Sequence, residues 1–147
     1  MRGKIEKYYP IVMGSVAAVL FYFTVNNAKL PNSIHNIFSA AANLSAIAIG
    51  FLGAAMAIVL AITNSRVIKS LKQTGAYVRL INYFDSAIKA SFCLAVLSFF
   101  GLLVDTTSVG LLQTMFATVY VFFLIVSGAK VYRVIDVFSH ILRNTQD

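Results

Sequence analysis

The sequence predicts an all-α integral membrane protein with four transmembrane helices. Hydrophobic residues make up 59% of the 147 residues and charged residues only 12%, whereas soluble domains have roughly 45–50% and about 25%. The charged residues are also clustered, so that long uncharged runs separate them. A soluble domain of this size must keep much of its surface in water, and so few charges cannot cover that surface. We therefore expect a single domain over residues 1–147, embedded in lipid.

The uncharged runs define the expected spans. A helix that crosses about 30 Å of hydrocarbon needs roughly 20 mostly apolar residues, and the runs 8–28, 30–65 and 106–129 are that long. The run 90–104 is too short unless Asp85 and Lys89 lie near the membrane edge or pair with each other. The predicted spans are residues 8–25, 37–63, 80–104 and 108–129.

The spans are predicted to be helices rather than the strands of a membrane barrel. Residues 46–61 are apolar or glycine throughout, whereas barrel strands alternate apolar and polar residues. A helix satisfies all its peptide groups within one segment, which lipid requires.

Basic residues are distributed unequally between the two ends of the spans. With four spans, both termini and the central loop lie on one side, which then holds every Lys and Arg except Lys29. The positive-inside rule assigns such a side to the cytoplasm. We expect a multi-pass membrane protein with both termini cytoplasmic. Its net charge of +7 favours contact with anionic membrane lipid.

Residues 64–84 are expected to form a helical hairpin that protrudes into the cytoplasm. Apolar and basic residues alternate there at helical spacing, and Gly75 stands where a helix often ends in a left-handed residue. The hairpin is a candidate contact for a cytoplasmic sensor protein or signal molecule, while no recognisable nucleic-acid module accompanies it. Its basic patch consists of Arg66, Lys69, Lys72 and Arg79.

Two further charged features border the spans. Asp85 and Lys89 stand four residues apart with the acid first, the favourable order for an intrahelical pair. The pair either lets the helix enter lipid at the membrane edge or forms a gate or proton-linked site. The tail 130–147 carries an amphipathic pattern, which indicates a C-terminal helix that lies on the membrane surface or extends span four.

Span two carries a stripe of small and polar residues at coiled-coil spacing. Small residues let helices approach closely in lipid, so the stripe is either a packing seam or the lining of a pore in a homo-oligomer. In a pore, Asn, Ser and glycine carbonyls would hold water or ions, and Ala57 and Leu60 would form an apolar collar. The stripe consists of Asn36, Ser39, Asn43, Ala46, Gly50, Gly53, Ala57, Leu60 and Asn64.

The sequence predicts neither catalysis nor a metal or cofactor. The two histidines, His35 and His140, are expected on opposite sides of the membrane and cannot share a metal. No carboxylate lies within spans one, two or four, and no glycine-rich phosphate loop is present. We therefore expect a protein that is not an enzyme.

The centre of the chain resembles the small four-span membrane effectors of phage-exclusion systems, of the Rex membrane protein type. The features are Ser65-Arg66 after a long apolar helix, then Leu71, Gly75 and Tyr77, and finally the run 101–103 of Gly-Leu-Leu. The resemblance covers spans two and three and their loop. It implies an inner-membrane effector of antiviral defence and abortive infection, whose ion-conducting pore opens when a cytoplasmic sensor detects infection.

Three functions follow from these observations. The first is an oligomeric, ion-channel-like pore that depolarises the bacterial inner membrane. The second is a non-catalytic structural or regulatory subunit, whose stripe on span two would be covered by its own other helices. The third is a holin-like lysis protein, which small size and a basic tail favour.

Overall fold

The computed structural model of the chain describes residues 2–25, 34–61, 75–103 and 111–143, and these residues form four α-helices. Each helix contains a segment long and apolar enough to cross a membrane. The prediction of an all-helical protein with four candidate spans is therefore confirmed. The helices are α1 (Arg2–Val25), α2 (Ile34–Ala61), α3 (Ala76–Leu103) and α4 (Leu111–Arg143).

Two helices extend beyond the predicted spans. Helix α3 already begins at Ala76, so part of the predicted hairpin 64–84 belongs to α3, and residues 62–74 of that hairpin lie outside the described residues. Gly75, directly before α3, has a φ of 67°, the left-handed conformation that glycine adopts readily. Helix α4 continues to Arg143, so the amphipathic tail extends span four as far as that residue.

The helices pack side by side in the order α2, α3, α4, α1. Hydroxyl pairs between α3 and α4 show that these two helices are antiparallel, because Ser91 meets Ser127 whereas Ser98 meets Tyr120. Among the described residues, the backbone of α2 packs extensively against α3 and against no other helix. In the same way, the backbone of α1 packs extensively against α4 only. Helices α1 and α2 are therefore the two edges of the row.

Two hydrophobic clusters hold the row together. The first joins Leu52, Ala55 and Val59 of α2 to the first half of α3 and to Val134 of α4. In the second, the Phe38 ring of α2 packs edge-on against Tyr120 of α4, with 4.6 Å between ring centroids. Burial of apolar side chains does not by itself drive helices together in lipid, so close packing and hydrogen bonds must hold these interfaces.

Glycines set the closest helix approaches. A Cβ at Gly101 of α3 would lie 2.9 Å from atoms of the Phe38 ring, and a Cβ at Gly14 of α1 would lie 2.5 Å from Val126 Cγ2 of α4. Glycine at these two positions therefore lets α3 approach α2 and lets α1 approach α4.

Candidate functional site

The stripe of small and polar residues on α2 lies on the outer surface of the chain. All of its members from Asn36 to Leu60 are exposed, and Leu60, the largest of the apolar ones, is 46% exposed. Asn64 lies outside the described residues. Within the described part of the chain, no helix covers the stripe.

The buried face of α2 is on the other side of the helix. Most stripe residues stand two positions before a buried residue, and two residues correspond to about 200° of rotation in an α-helix. The helix therefore packs on α3 with one face and presents the stripe on a nearly opposite one. The buried residues are Phe38, Ala41, Ser45, Leu52, Ala55 and Val59.

The two glycines of the stripe have no role in packing within the chain. A Cβ added at Gly50 or at Gly53 would meet no atom within 4 Å, in contrast to Gly14 and Gly101. Small size at Gly50 and Gly53 is therefore not required by the contacts of the described residues. It leaves the backbone of α2 open to a close approach from outside.

The remaining exposed part of α2 is bulky and apolar. Leu44 and Ile47 are each 68% exposed, and Phe51 and Ile58 are also exposed. These side chains suit contact with acyl chains, whereas the amide of Asn43 in hydrocarbon would lose its hydrogen bonds to water at a cost of several kcal/mol. The exposed surface of α2 is thus divided between a lipid-compatible face and a stripe that requires water or a protein partner.

Asp85 and Lys89 form an ion pair on the outside of α3. Lys89 Nζ lies 2.7 Å from Asp85 Oδ2, and the side chains are 74% exposed for Lys89 and 52% for Asp85. An exposed pair of this kind contributes little to stability in water. Within a membrane it lowers the cost of placing two charges at the edge of the hydrocarbon, because each charge neutralises the other.

The predicted basic patch is only partly within the described residues. Arg66, Lys69 and Lys72 lie outside them, and Arg79 lies on the exposed side of the first turns of α3. Arg79 lines a cavity together with Lys130 and Arg133 of α4. Sequence reasoning assigned these α4 residues to the tail and did not bring them together with Arg79.

Buried hydroxyl groups form a second feature that sequence reasoning missed. Ser91 and Ser127 Oγ atoms are 3.2 Å apart, and Ser98 Oγ is 3.2 Å from the Tyr120 hydroxyl. Next to the first pair, a largely apolar groove of about 540 Å³ separates α2 from α4. Ser45 of α2 lines this groove, and its Oγ is buried with no hydrogen-bond partner among the described residues.

Chemistry beyond binding and packing is sparse in the described residues. They contain no group of three His, Cys, Asp or Glu side chains that could hold a metal ion. The carboxylate of Asp85 forms an ion pair with Lys89.

These features together define a membrane protein of four apolar helices with one small, polar edge. Comparison with protein-family models, with curated proteins and with solved structures gives no match.

Proposed function

We propose that the chain assembles into a homo-oligomeric pore of the bacterial inner membrane and depolarises that membrane in defence against phage. The exposed stripe on α2 is the observation that carries this proposal. It combines polar side chains with small residues on an edge helix, on a face that the described parts of the other helices do not cover.

The composition of the stripe suits a conducting path. Asn36, Ser39 and Asn43 would offer oxygen and amide groups to hydrated ions at one end. Gly50 and Gly53 would expose backbone carbonyls near the middle, because none of the described residues lies over them. Ala57 and Leu60 would form the narrow apolar section that closes the path until a signal arrives.

The charge distribution supports an orientation with both termini in the cytoplasm. The basic segment 64–84 would then face the cytoplasm, where a sensor protein or signal molecule could act on it. The resemblance of spans two and three to phage-exclusion effectors supports infection as the trigger.

Conductance of the purified protein in liposomes tests the pore. We expect Asn43→Leu and Gly50→Leu to lower ion flux strongly, because each places a bulky apolar side chain on the stripe. Ala40→Leu is the matched control, since Ala40 is exposed and shares the lipid-compatible face with Leu44 and Ile47. If both stripe variants assemble and conduct like the parent, the stripe does not line the path.

The size of the purified particle in detergent tests the alternatives. A monomer that does not conduct would favour a structural or regulatory subunit, whose stripe receives a helix of another protein. A protein that kills cells on expression without any infection signal would favour a holin-like lysis protein.

A further inference from the structure

A cavity of about 450 Å³ with several basic residues in its lining lies where α3, α4 and the first half of α1 meet. Arg79 of α3 and Lys130 and Arg133 of α4 contribute three positive charges to its lining. Asn82 and Ser86 of α3 add groups that can donate hydrogen bonds. No acidic side chain is among the described residues that line it, so the cavity favours an anion.

Two of the three positive charges are available to a ligand. Among the described residues, neither Arg79 nor Lys130 has an ion-pair partner. Of the described acids near the cavity, Asp85 is engaged by Lys89 at 2.7 Å, and Asp136 is exposed and does not line the cavity. Among the described residues, therefore, no acid neutralises Arg79 or Lys130, and an anion that enters would meet both charges.

Arg133 is held in place by an aromatic ring. Its guanidinium carbon lies 3.8 Å from the centroid of the Tyr83 ring, and such a cation–π contact restrains the side chain. A guanidinium group binds phosphate oxygens through two parallel hydrogen bonds. Restraining it beforehand reduces the conformational entropy that binding would otherwise cost.

The cavity lies about one hydrocarbon thickness from the far ends of α3 and α4. Lys130 is about 29 Å along α4 from Leu111, and Tyr83 is about 30 Å along α3 from Leu103, at 1.5 Å per residue. These lengths match the thickness of the hydrocarbon core. If the helix ends at Leu103 and Leu111 mark one membrane surface, the cavity opens at the opposite surface.

We propose that this cavity is a binding site for a phosphate-bearing anion, with Arg79, Lys130 and Arg133 as its cationic contacts. The anion is either the headgroup of an anionic phospholipid or a soluble phosphate compound, and both present the same oxygens to the site. The proposal does not depend on whether the protein forms a pore.

Thermal unfolding of the full chain in a neutral detergent tests the site and separates the two sources. The probes are phosphatidylglycerol, phosphatidylcholine, inorganic phosphate and ATP. A ligand that binds the folded protein raises its melting temperature, and above the Kd the shift grows with the logarithm of the ligand concentration. Stabilisation by phosphatidylglycerol but not phosphatidylcholine would identify a lipid headgroup, and stabilisation by phosphate or ATP would identify a soluble ligand.

Single substitutions locate the binding. We expect Lys130→Gln to weaken the affinity for the effective probe by about tenfold, the equivalent of about 1.4 kcal/mol. Arg133→Lys keeps the charge but loses the planar guanidinium group. It should weaken the affinity less than Arg133→Gln does. Lys29→Gln removes the same charge from the segment between α1 and α2, which the sequence assigns to the opposite membrane surface, and should leave the affinity unchanged.

Two results would overturn the site. The first is that no probe raises the melting temperature, or that phosphatidylcholine raises it as much as phosphatidylglycerol does with no effect of phosphate or ATP. The second is that Lys29→Gln weakens binding as much as Lys130→Gln, which would indicate attraction to net charge alone. Because Lys130 makes no ring contact like that of Arg133, its variant keeps the test valid if Arg133→Gln fails to fold.

Discussion

Serine hydroxyls buried between the helices differ in whether they have a hydrogen-bond partner. The hydroxyls of Ser91 and Ser127 form a hydrogen bond, with 3.2 Å between their Oγ atoms. Ser45, in contrast, is only 4% exposed, and its hydroxyl has no hydrogen-bond partner among the described residues. A buried hydroxyl without a partner costs about 1–3 kcal/mol relative to its state in water. The serine pair therefore supports the fold, and Ser45 opposes it.

Replacement of Ser45 by alanine should leave the protein at least as stable as the parent. Alanine has nearly the same volume as serine and lacks the unsatisfied hydroxyl. The substitution is therefore expected to raise the free energy of unfolding by up to about 1 kcal/mol. Thermal unfolding in detergent measures the change. A loss of more than about 1 kcal/mol would mean that the hydroxyl has a partner, either a bound molecule in the groove or another subunit.

Glycine-to-alanine substitutions should separate intramolecular from intermolecular packing. Gly101→Ala drives a methyl group into the buried Phe38 ring, so it should lower the free energy of unfolding by about 1–3 kcal/mol. The methyl group of Gly50→Ala meets no atom of the described residues, so the variant should be neutral or gain up to about 1 kcal/mol from helix propensity. Thermal unfolding of the detergent-dispersed monomer distinguishes the two.

The same Gly50→Ala variant reports on assembly. If copies approach one another through the stripe, the added methyl group should lower the oligomer fraction in size-exclusion chromatography while the monomer stays stable. An oligomer fraction equal to that of the parent would argue against a close contact at Gly50.

The helices themselves were predictable from the sequence because charged residues mark where they leave the lipid. The uncharged runs identified all four helices, and the observed bounds lie within six residues of the predicted spans except at the C-terminal end of α4. The continuity of α4 past residue 129 was left open, because an amphipathic pattern suits both a helix on the membrane surface and a longer span.

Which helix faces meet could not be predicted in the same way. The buried face of α2 contains Phe38, Ala41, Ser45 and Leu52, and its lipid-compatible face is equally apolar. In lipid, burial leaves no contrast in hydropathy, so periodicity does not distinguish the two. The stripe was visible because small and polar residues differ from both.

The cavity with Arg79 and Lys130 was missed for a related reason. The two residues are far apart in the sequence, and only the antiparallel packing of α3 on α4 brings both to the lining of one cavity. A signal was present, because at 1.5 Å per residue Arg79 stands about 36 Å from Leu103 and Lys130 about 29 Å from Leu111, each about a bilayer thickness or more. Counting residues from Leu103 and Leu111 would have placed both near the same end of the row.

Hydrogen bonding between α3 and α4 should show measurable coupling. Ser91→Ala and Ser127→Ala should each destabilise the protein, and the double variant should lose less than the sum of the two. The expected coupling is about 0.6 kcal/mol, typical of hydrogen bonds between membrane helices. Ser15→Ala on α1 is a suitable control, because the Ser15 hydroxyl donates its hydrogen bond to the carbonyl of Ile11 in its own helix. Additive losses would indicate that the contact between Ser91 and Ser127 contributes nothing.

At the scale of the whole molecule, the row of helices has two edges of different character. The α1 edge is bulky, with Val12, Leu20 and Phe23 more than half exposed, and it suits lipid. The α2 edge combines exposed glycines with exposed asparagine and serine. A single copy in a membrane therefore leaves one polar edge in an unfavourable environment, and assembly through α2 would remove that cost.

Cysteine cross-linking tests whether the α2 edge of one copy faces that of another. Cys93 is the only cysteine of the chain and is exposed, so Cys93→Ala gives a background without thiols. In that background we expect Ala46→Cys to yield covalent dimers in liposomes under mild oxidation, because a disulfide requires Cβ atoms about 3.5–4.5 Å apart and the small neighbours of Ala46 permit such an approach. A short bismaleimide should extend the reaction to copies that face each other across a narrow path.

Leu44→Cys is the matched control for this cross-link. Leu44 is 68% exposed and stands two residues before Ala46, so it lies about 200° away around the helix on the lipid-compatible face. It should remain monomeric under conditions that dimerise Ala46→Cys. Equal yields at both positions would indicate random collisions in the bilayer. If neither position reacts while the purified protein is stable and monomeric, the polar edge of α2 is not a contact between copies, and a helix of a different protein becomes the better explanation for its polarity.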